Sequence, residues 1–112
     1  MAKGDFLGEF EQVVLLAVLR QENEGYGMSI RREIEDSVGR DVTIGAVYAT
    51  LDRLERKGYV RSWEGEAEPV RGGRARKHFA LTPDGAAALR TSRAMMNQLW
   101  DGVDLGGHGE TV

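Results

Sequence analysis

Thr43-Ile44-Gly45-Ala46-Val47-Tyr48-Ala49-Thr50-Leu51-Asp52-Arg53-Leu54-Glu55-Arg56-Lys57-Gly58-Tyr59-Val60 is the stretch on which the fold turns. Thr43 stands where a helix N-cap is wanted, and Ile44, Val47, Leu51 and Leu54 recur at helical spacing before Lys57-Gly58 ends the pattern. The opposite side of that helix carries Gly45, Ala46, Ala49, Asp52, Arg53 and Arg56, small at its start and charged at its end. A helix that enters a DNA major groove needs both features: one face to hold a core, and a slim N-terminal half that lets the backbone come close to the bases. The Thr43 hydroxyl and the positive end of the helix dipole suit phosphate oxygens, and Tyr48, on the border between the faces, can pack its ring while its hydroxyl reaches outward. The same inventory occurs in helices with no such role, so this helix alone leaves DNA contact open.

Its neighbours narrow the choice. After Gly58 the period changes from helical to alternating, and Tyr59 to Glu66 and Lys77 to Leu81 read as two short strands. Between them, Ala67 to Arg76 holds Pro69 and Gly72-Gly73 and reads as a flexible hairpin tip. Arg71, Arg74, Arg76 and Lys77 surround those glycines, four of the chain's 15 lysines and arginines within one short run. Such a run on a loop is often only solvated. Its position directly after a candidate recognition helix makes it a wing that follows the DNA backbone and offers arginine to a minor groove.

Upstream, a first helix over about Leu7 to Glu22 has almost no polar face, because Phe10, Val13, Val14 and the run to Leu19 are apolar. A helix of this kind needs cover on more than one side, which predicts packing against its own core and against a second copy of the chain. Tyr26, Ile30, Ile34 and Val38 mark a second helix closed by Gly39. Downstream, Thr82-Pro83 opens a fourth helix, in which Leu89, Ser92, Met96 and Leu99 form a heptad-like seam with Trp100 beside it. The predicted fold is mainly α with an α+β wing: three N-terminal helices, a two-stranded wing and a C-terminal dimerisation helix, in the order of a winged helix-turn-helix. Residues 1–82 form the DNA-binding region, 83–101 the dimerisation helix and 102–112 a disordered tail. Phe10, Val14, Leu89, Met96, Leu99 and Trp100 are the expected dimer contacts.

Composition excludes other classes. A chain of 112 residues has room for one domain, and 41% hydrophobic with 29% charged residues is ordinary for a globular protein. With no cysteine there is no disulfide or thiolate metal site, and His78 and His108 alone make no metal site, so no cofactor or metal is expected and a reducing, cytoplasmic setting fits. Val13 to Leu19 is far short of the roughly 20 apolar residues that span a bilayer, and acidic Glu9 and Glu11 precede it where a leader would be basic, so no membrane is involved. The net charge of −3 argues against indiscriminate coating of nucleic acid and describes a basic finger on an acidic body. No enzyme is expected. Glu33 with Glu35 and Glu66 with Glu68 sit on solvated or loop segments, His78 has no nucleophile pattern beside it, and Gly72-Gly73 lacks the setting of a phosphate loop.

Several motifs in order resemble the PadR family of regulators. They are Leu7-Gly8-Glu9-Phe10-Glu11-Gln12-Val13-Val14-Leu15-Leu16-Ala17-Val18-Leu19, then Tyr26-Gly27 and Ile30, then residues 43–60 with a glycine two before Val47-Tyr48. The wing Gly72-Gly73-Arg74-Ala75-Arg76-Lys77, followed by Leu81-Thr82-Pro83-Asp84-Gly85, continues the likeness, which covers about residues 7 to 100. The resemblance implies a homodimer that binds a near-palindromic operator in double-stranded DNA, and repression relieved by a small-molecule effector or another signal. Two departures limit the transfer: the chain stops shortly after one terminal helix, as in the short branch of the family, and Ala46 and Ala49 leave few side chains to read bases. Candidate DNA contacts are therefore Thr43, Gly45, Tyr48, Ala49 and Arg53 with Arg71, Gly72, Gly73, Arg74, Arg76 and Lys77. Two alternatives stay open from the residues: a winged-helix module that serves a protein partner, and a dimer that holds a flat hydrophobic ligand at Trp100 and Met96.

Overall fold

The computed structural model describes residues 6–67 and 75–106. Arg71, Gly72, Gly73 and Arg74 at the expected wing tip, and the tail from residue 107, lie outside the described residues. The elements follow in the order α1 (Glu9–Arg20), α2 (Gly27–Val38), α3 (Ile44–Arg56), β1 (Val60–Ala67), β2 (Ala75–Leu81) and α4 (Pro83–Trp100). Three helices, an antiparallel two-stranded wing and a long last helix make the fold mainly helical, as the sequence predicts.

The core is built from the inward residues of the first three helices, closed by the base of the wing: Val14, Leu15, Val18, Ile30, Ile34, Val47, Leu51, Leu54, Val60 and Phe79. α1 is shorter than the expected Leu7 to Glu22. Glu22 and Asn23 adopt φ of 57° and 60°, outside helical space, and the Asn23 side-chain oxygen accepts the Leu81 N–H at 3.0 Å, so the turn after α1 ties down the end of β2. At the other end, Glu11 reaches back to accept the Gly8 N–H at 2.9 Å.

The near-absence of a polar face on α1 leaves its orientation to tertiary packing. Val14, expected as a dimer contact, is 0% exposed and packed within its own chain, so it presents no surface there. Leu16, 49% exposed, and Leu19 carry the apolar surface that remains. Phe10 sits half-buried at the core edge, with the Arg40 guanidinium 5.2 Å above its ring. In α3 the buried stripe is Val47, Thr50, Leu51 and Leu54, whereas Ile44 is only half-buried because it stands on the first turn, beyond the packed length.

In the wing, Val60 pairs with Leu81 and Trp63 with His78, and the register shifts between Glu64 and Ala67. β2 begins at Ala75, so Arg76 belongs to a strand and not to the tip. A contact distant in sequence accompanies this: its guanidinium stacks 4.3 Å over the Tyr26 ring, against the start of α2. The Phe79 N–H donates to Gly25 O at 2.9 Å and Tyr26 forms a bridge to His78, so the loop before α2 is stitched along β2.

α4 is joined to the turn that ends α3. The Thr82 hydroxyl caps α4 by accepting Gly85 N–H at 3.0 Å and donates to Gly58 O at 2.6 Å, while Thr82 N–H donates to Tyr59 O at 3.0 Å. Gly85 lies so close that a Cβ there would fall 2.1 Å from Tyr59 O. Beyond the buried Ser92, the helix presents Met96, Leu99 and Trp100 outward.

Candidate nucleic-acid interface

The N-terminal half of α3 is open. Thr43 Oγ1 accepts Ala46 N–H at 3.0 Å, which caps the helix and leaves the hydroxyl proton available to an outside acceptor. Gly45, Ala46 and Ala49 are exposed, and a Cβ added at Gly45 would meet nothing within 4 Å. The uncapped N–H groups of the first turn and this small-residue face coincide.

Tyr48 is 43% exposed and lies against the start of α2. A Cβ at Gly27 would fall 2.2 Å from its Cζ and 2.4 Å from its hydroxyl oxygen, so only glycine lets the ring sit there. Tyr26-Gly27 therefore does two jobs. Gly27 seats Tyr48, and Tyr26 gathers cations: Arg32 donates to its hydroxyl at 3.1 Å while Arg76 covers its ring. Arg32 was not among the sequence candidates; the Arg31-Arg32 pair early in α2 was its trace, and Arg31 turns the other way, donating to Val42 O at 2.9 Å to brace the turn before α3.

Toward the C-terminal half of α3 the cations are held by acids. Arg56 pairs with Asp52 at 2.9 Å on the open surface, and Lys77 on β2 lies 3.6 Å from Glu55. Arg53 is exposed on the same side as Ala46 and Ala49, yet its Nε donates to Glu11 at 3.0 Å, as does Lys57 Nζ at 2.8 Å. Burial pushes the Glu11 carboxyl up, but the bonds from Lys57, the Gly8 N–H and Arg53 outweigh it and hold the group below its ordinary value. Glu11 was read from sequence only as an acidic residue at the head of α1; a carboxylate at helical spacing within an apolar run was the available clue.

Glu33 has a structural job. Bonds from the Ser37 hydroxyl, Arg20 and Gln21 pull its carboxyl down to about 2 and fasten α2 to α1. On the far side, a groove of about 520 Å³ runs between α1 and α4, lined by Leu16, Leu19, Leu89 and Met96 with Arg90 and Arg93. Leu89 is half-buried in it, and Trp100, 53% exposed, stands past its end with Leu99. Among the described residues no group of acids and histidines could hold a metal ion, and no helix is long and apolar enough to cross a membrane.

The family model described as the transcriptional regulator PadR-like family matches residues 15–91, a span that runs from the core of α1 through α3 and the wing into α4. The chain belongs to this family. A transcriptional regulator of Mycobacterium tuberculosis, Rv3488, is 37% identical over 91 residues, which cover 81% of this chain and 79% of that protein. Among solved structures, a PadR-family transcriptional regulator from Eggerthella lenta superposes with a TM-score of 0.69 at 24% identity, covering 93% of this chain and 88% of the other. F93 from STIV, a winged-helix DNA-binding protein, gives 0.65 at 18% identity over 84% and 94%. These likenesses show the winged-helix fold. Segments that carry the resemblance set the local geometry: Gly27 at the start of α2 seats the tyrosine of α3, and the Thr-Pro-Asp-Gly segment brings α4 against the turn after α3.

Proposed function

We propose that this PadR-family regulator binds double-stranded DNA as a homodimer and represses transcription by occluding a promoter. The observation that carries the reading is the open start of α3, where the first-turn N–H groups beside Thr43 and Gly45 are exposed and Gly45 and Ala49 add no bulk, flanked by Tyr48, Arg53, Arg76 and Lys77. In a dimer each α3 enters a major groove, with half-sites about one helical turn, roughly 34 Å, apart on a near-palindromic operator. The wing strands carry Arg76 and Lys77 along the flanking backbone, and the segment from Arg71 to Arg74 extends that contact. Residues 83–101 act as the dimerisation arm, with Leu89, Met96, Leu99 and Trp100 meeting the partner beside Leu16 and Leu19. The exposed apolar surface of α4 and α1 supports this, because a monomer seldom leaves such a patch uncovered. A small-molecule effector in the groove between α1 and α4, or another signal acting there, would release the DNA.

Duplex fragments from the protein's own upstream region, titrated against salt beside unrelated DNA, test the reading. Saturable binding well above the control, weakening steeply with salt, supports it. Absence of binding to either duplex at low salt rejects it for the free protein. Sedimentation of the same sample checks the dimer, and Leu99→Asp should yield monomers that bind DNA weakly.

A further inference from the structure

We propose that Glu11 is a positioning residue for DNA recognition, which orients Arg53 on the exposed face of α3 so that its guanidinium edge is presented in one fixed direction. Glu11 lies in the first helix, 42 residues from Arg53 in sequence, and is only 6% exposed. A carboxylate in that position is tolerated only when its oxygens are fully engaged. Here Oε1 accepts the Gly8 N–H, and Oε2 accepts both Arg53 Nε and Lys57 Nζ. The side of the guanidinium that carries Nε is thus tied inward, and Nη2 lies 3.5 Å from Thr50 Oγ1. Even so, 46% of the Arg53 side chain stays exposed, on the helix side that also carries the exposed Ala46 and Ala49. An arginine fixed in this way loses its rotamer freedom on folding and not on binding, and it keeps the planar fork that matches a phosphate or a guanine edge. Arg56 provides the contrast: its partner Asp52 is as exposed as it is, so that pair is held by nothing deeper in the fold.

The inference rests on the proposed contact between α3 and DNA, and it concerns specificity more than attraction. Glu11 places a negative charge behind the recognition helix. Removing it makes the protein more attractive to any duplex while loosening the one side chain that discriminates. The probes are a duplex recovered by the protein from a random-sequence pool and an unrelated duplex of equal length. Glu11→Gln should bind the unrelated duplex as tightly as the parent or more so and the selected duplex more weakly, lowering the preference roughly tenfold, about the effect of one good base contact. In an Arg53→Ala background the same change should leave the preference where Arg53→Ala put it. A purely structural role would instead weaken both duplexes alike and add to the Arg53→Ala effect. If Glu11→Gln does not fold, Glu11→Asp carries the test, since it keeps the charge and shortens the reach. A preference equal to the parent's in the folded variant overturns the inference. Should Arg53→Ala itself leave the preference unchanged, or the pool yield no duplex, it is the placing of Arg53 or of α3 on DNA that fails.

Discussion

Replacing Gly45 with alanine separates folding from recognition more cleanly than any other single change in α3. A Cβ at that position has nothing within 4 Å and the residue is not at positive φ, so the fold accepts the methyl without strain. Alanine exceeds glycine by up to about 1 kcal/mol in a helix interior, and in the first turn by about half of that. For a domain of this size about 0.5 kcal/mol corresponds to a melting temperature raised by roughly 2–4 °C. The same methyl stands on the face proposed to enter the major groove, where it holds the backbone off the bases. A tenfold loss of duplex affinity, about 1.4 kcal/mol, is the expected scale. Thermal melting and duplex titration on one preparation read both quantities. Affinity within about twofold of the parent, a few tenths of a kcal/mol, would refute approach through the first turn. A lowered melting temperature would show that the start of α3 is packed and not open.

Gly85→Ala should have the opposite profile. Its Cβ would lie 2.1 Å from a backbone oxygen that cannot rotate away, so a loss of about 2–3 kcal/mol and a melting temperature lower by roughly 10 °C or more are expected, measured by calorimetry. Gly27→Ala meets the tip of Tyr48, which can swing aside; the melting temperature should fall only modestly, while duplex affinity, read by titration, should drop. Acid titration has a definite sign. The Glu33 carboxyl is depressed in the fold to about 2 from its ordinary 4.5, so its contribution is complete above 4.5 and fades as pH falls toward 2. Glu33→Gln should flatten the acid limb of a stability profile in that window, and an unchanged limb would show that its bonds to Arg20, Gln21 and Ser37 do not stabilise the fold.

Much of the architecture was legible because it rests on local rules. The caps at Thr43 and Thr82, the close of α2 at Gly39 and the change of period after Gly58 each depend on residues within a turn or two of one another. The order of elements followed, and with it the winged-helix topology. The site was legible where residue type itself restricts the surface, as with Gly45, Ala46 and Ala49. It was less legible where one cation had several partners to choose from: Arg76 was placed at a loop tip because nothing nearby in sequence announces that Tyr26 draws it into β2.

The sequence by itself determined where α3 and α4 start, where α2 stops and which faces of α2 and α3 carry the apolar stripes, since caps and periodicity state them locally. Only the tertiary structure decided which side of α1 is inside. An apolar helix with hardly a polar residue has no internal reference, so Val14 was turned inward and Leu16 outward by contacts with α2, α3 and the wing. The same long-range packing carried Glu11 beneath α3, where burial without its two cations would be too costly and where, with them, a carboxylate in the first helix holds an arginine and a lysine at the end of the third.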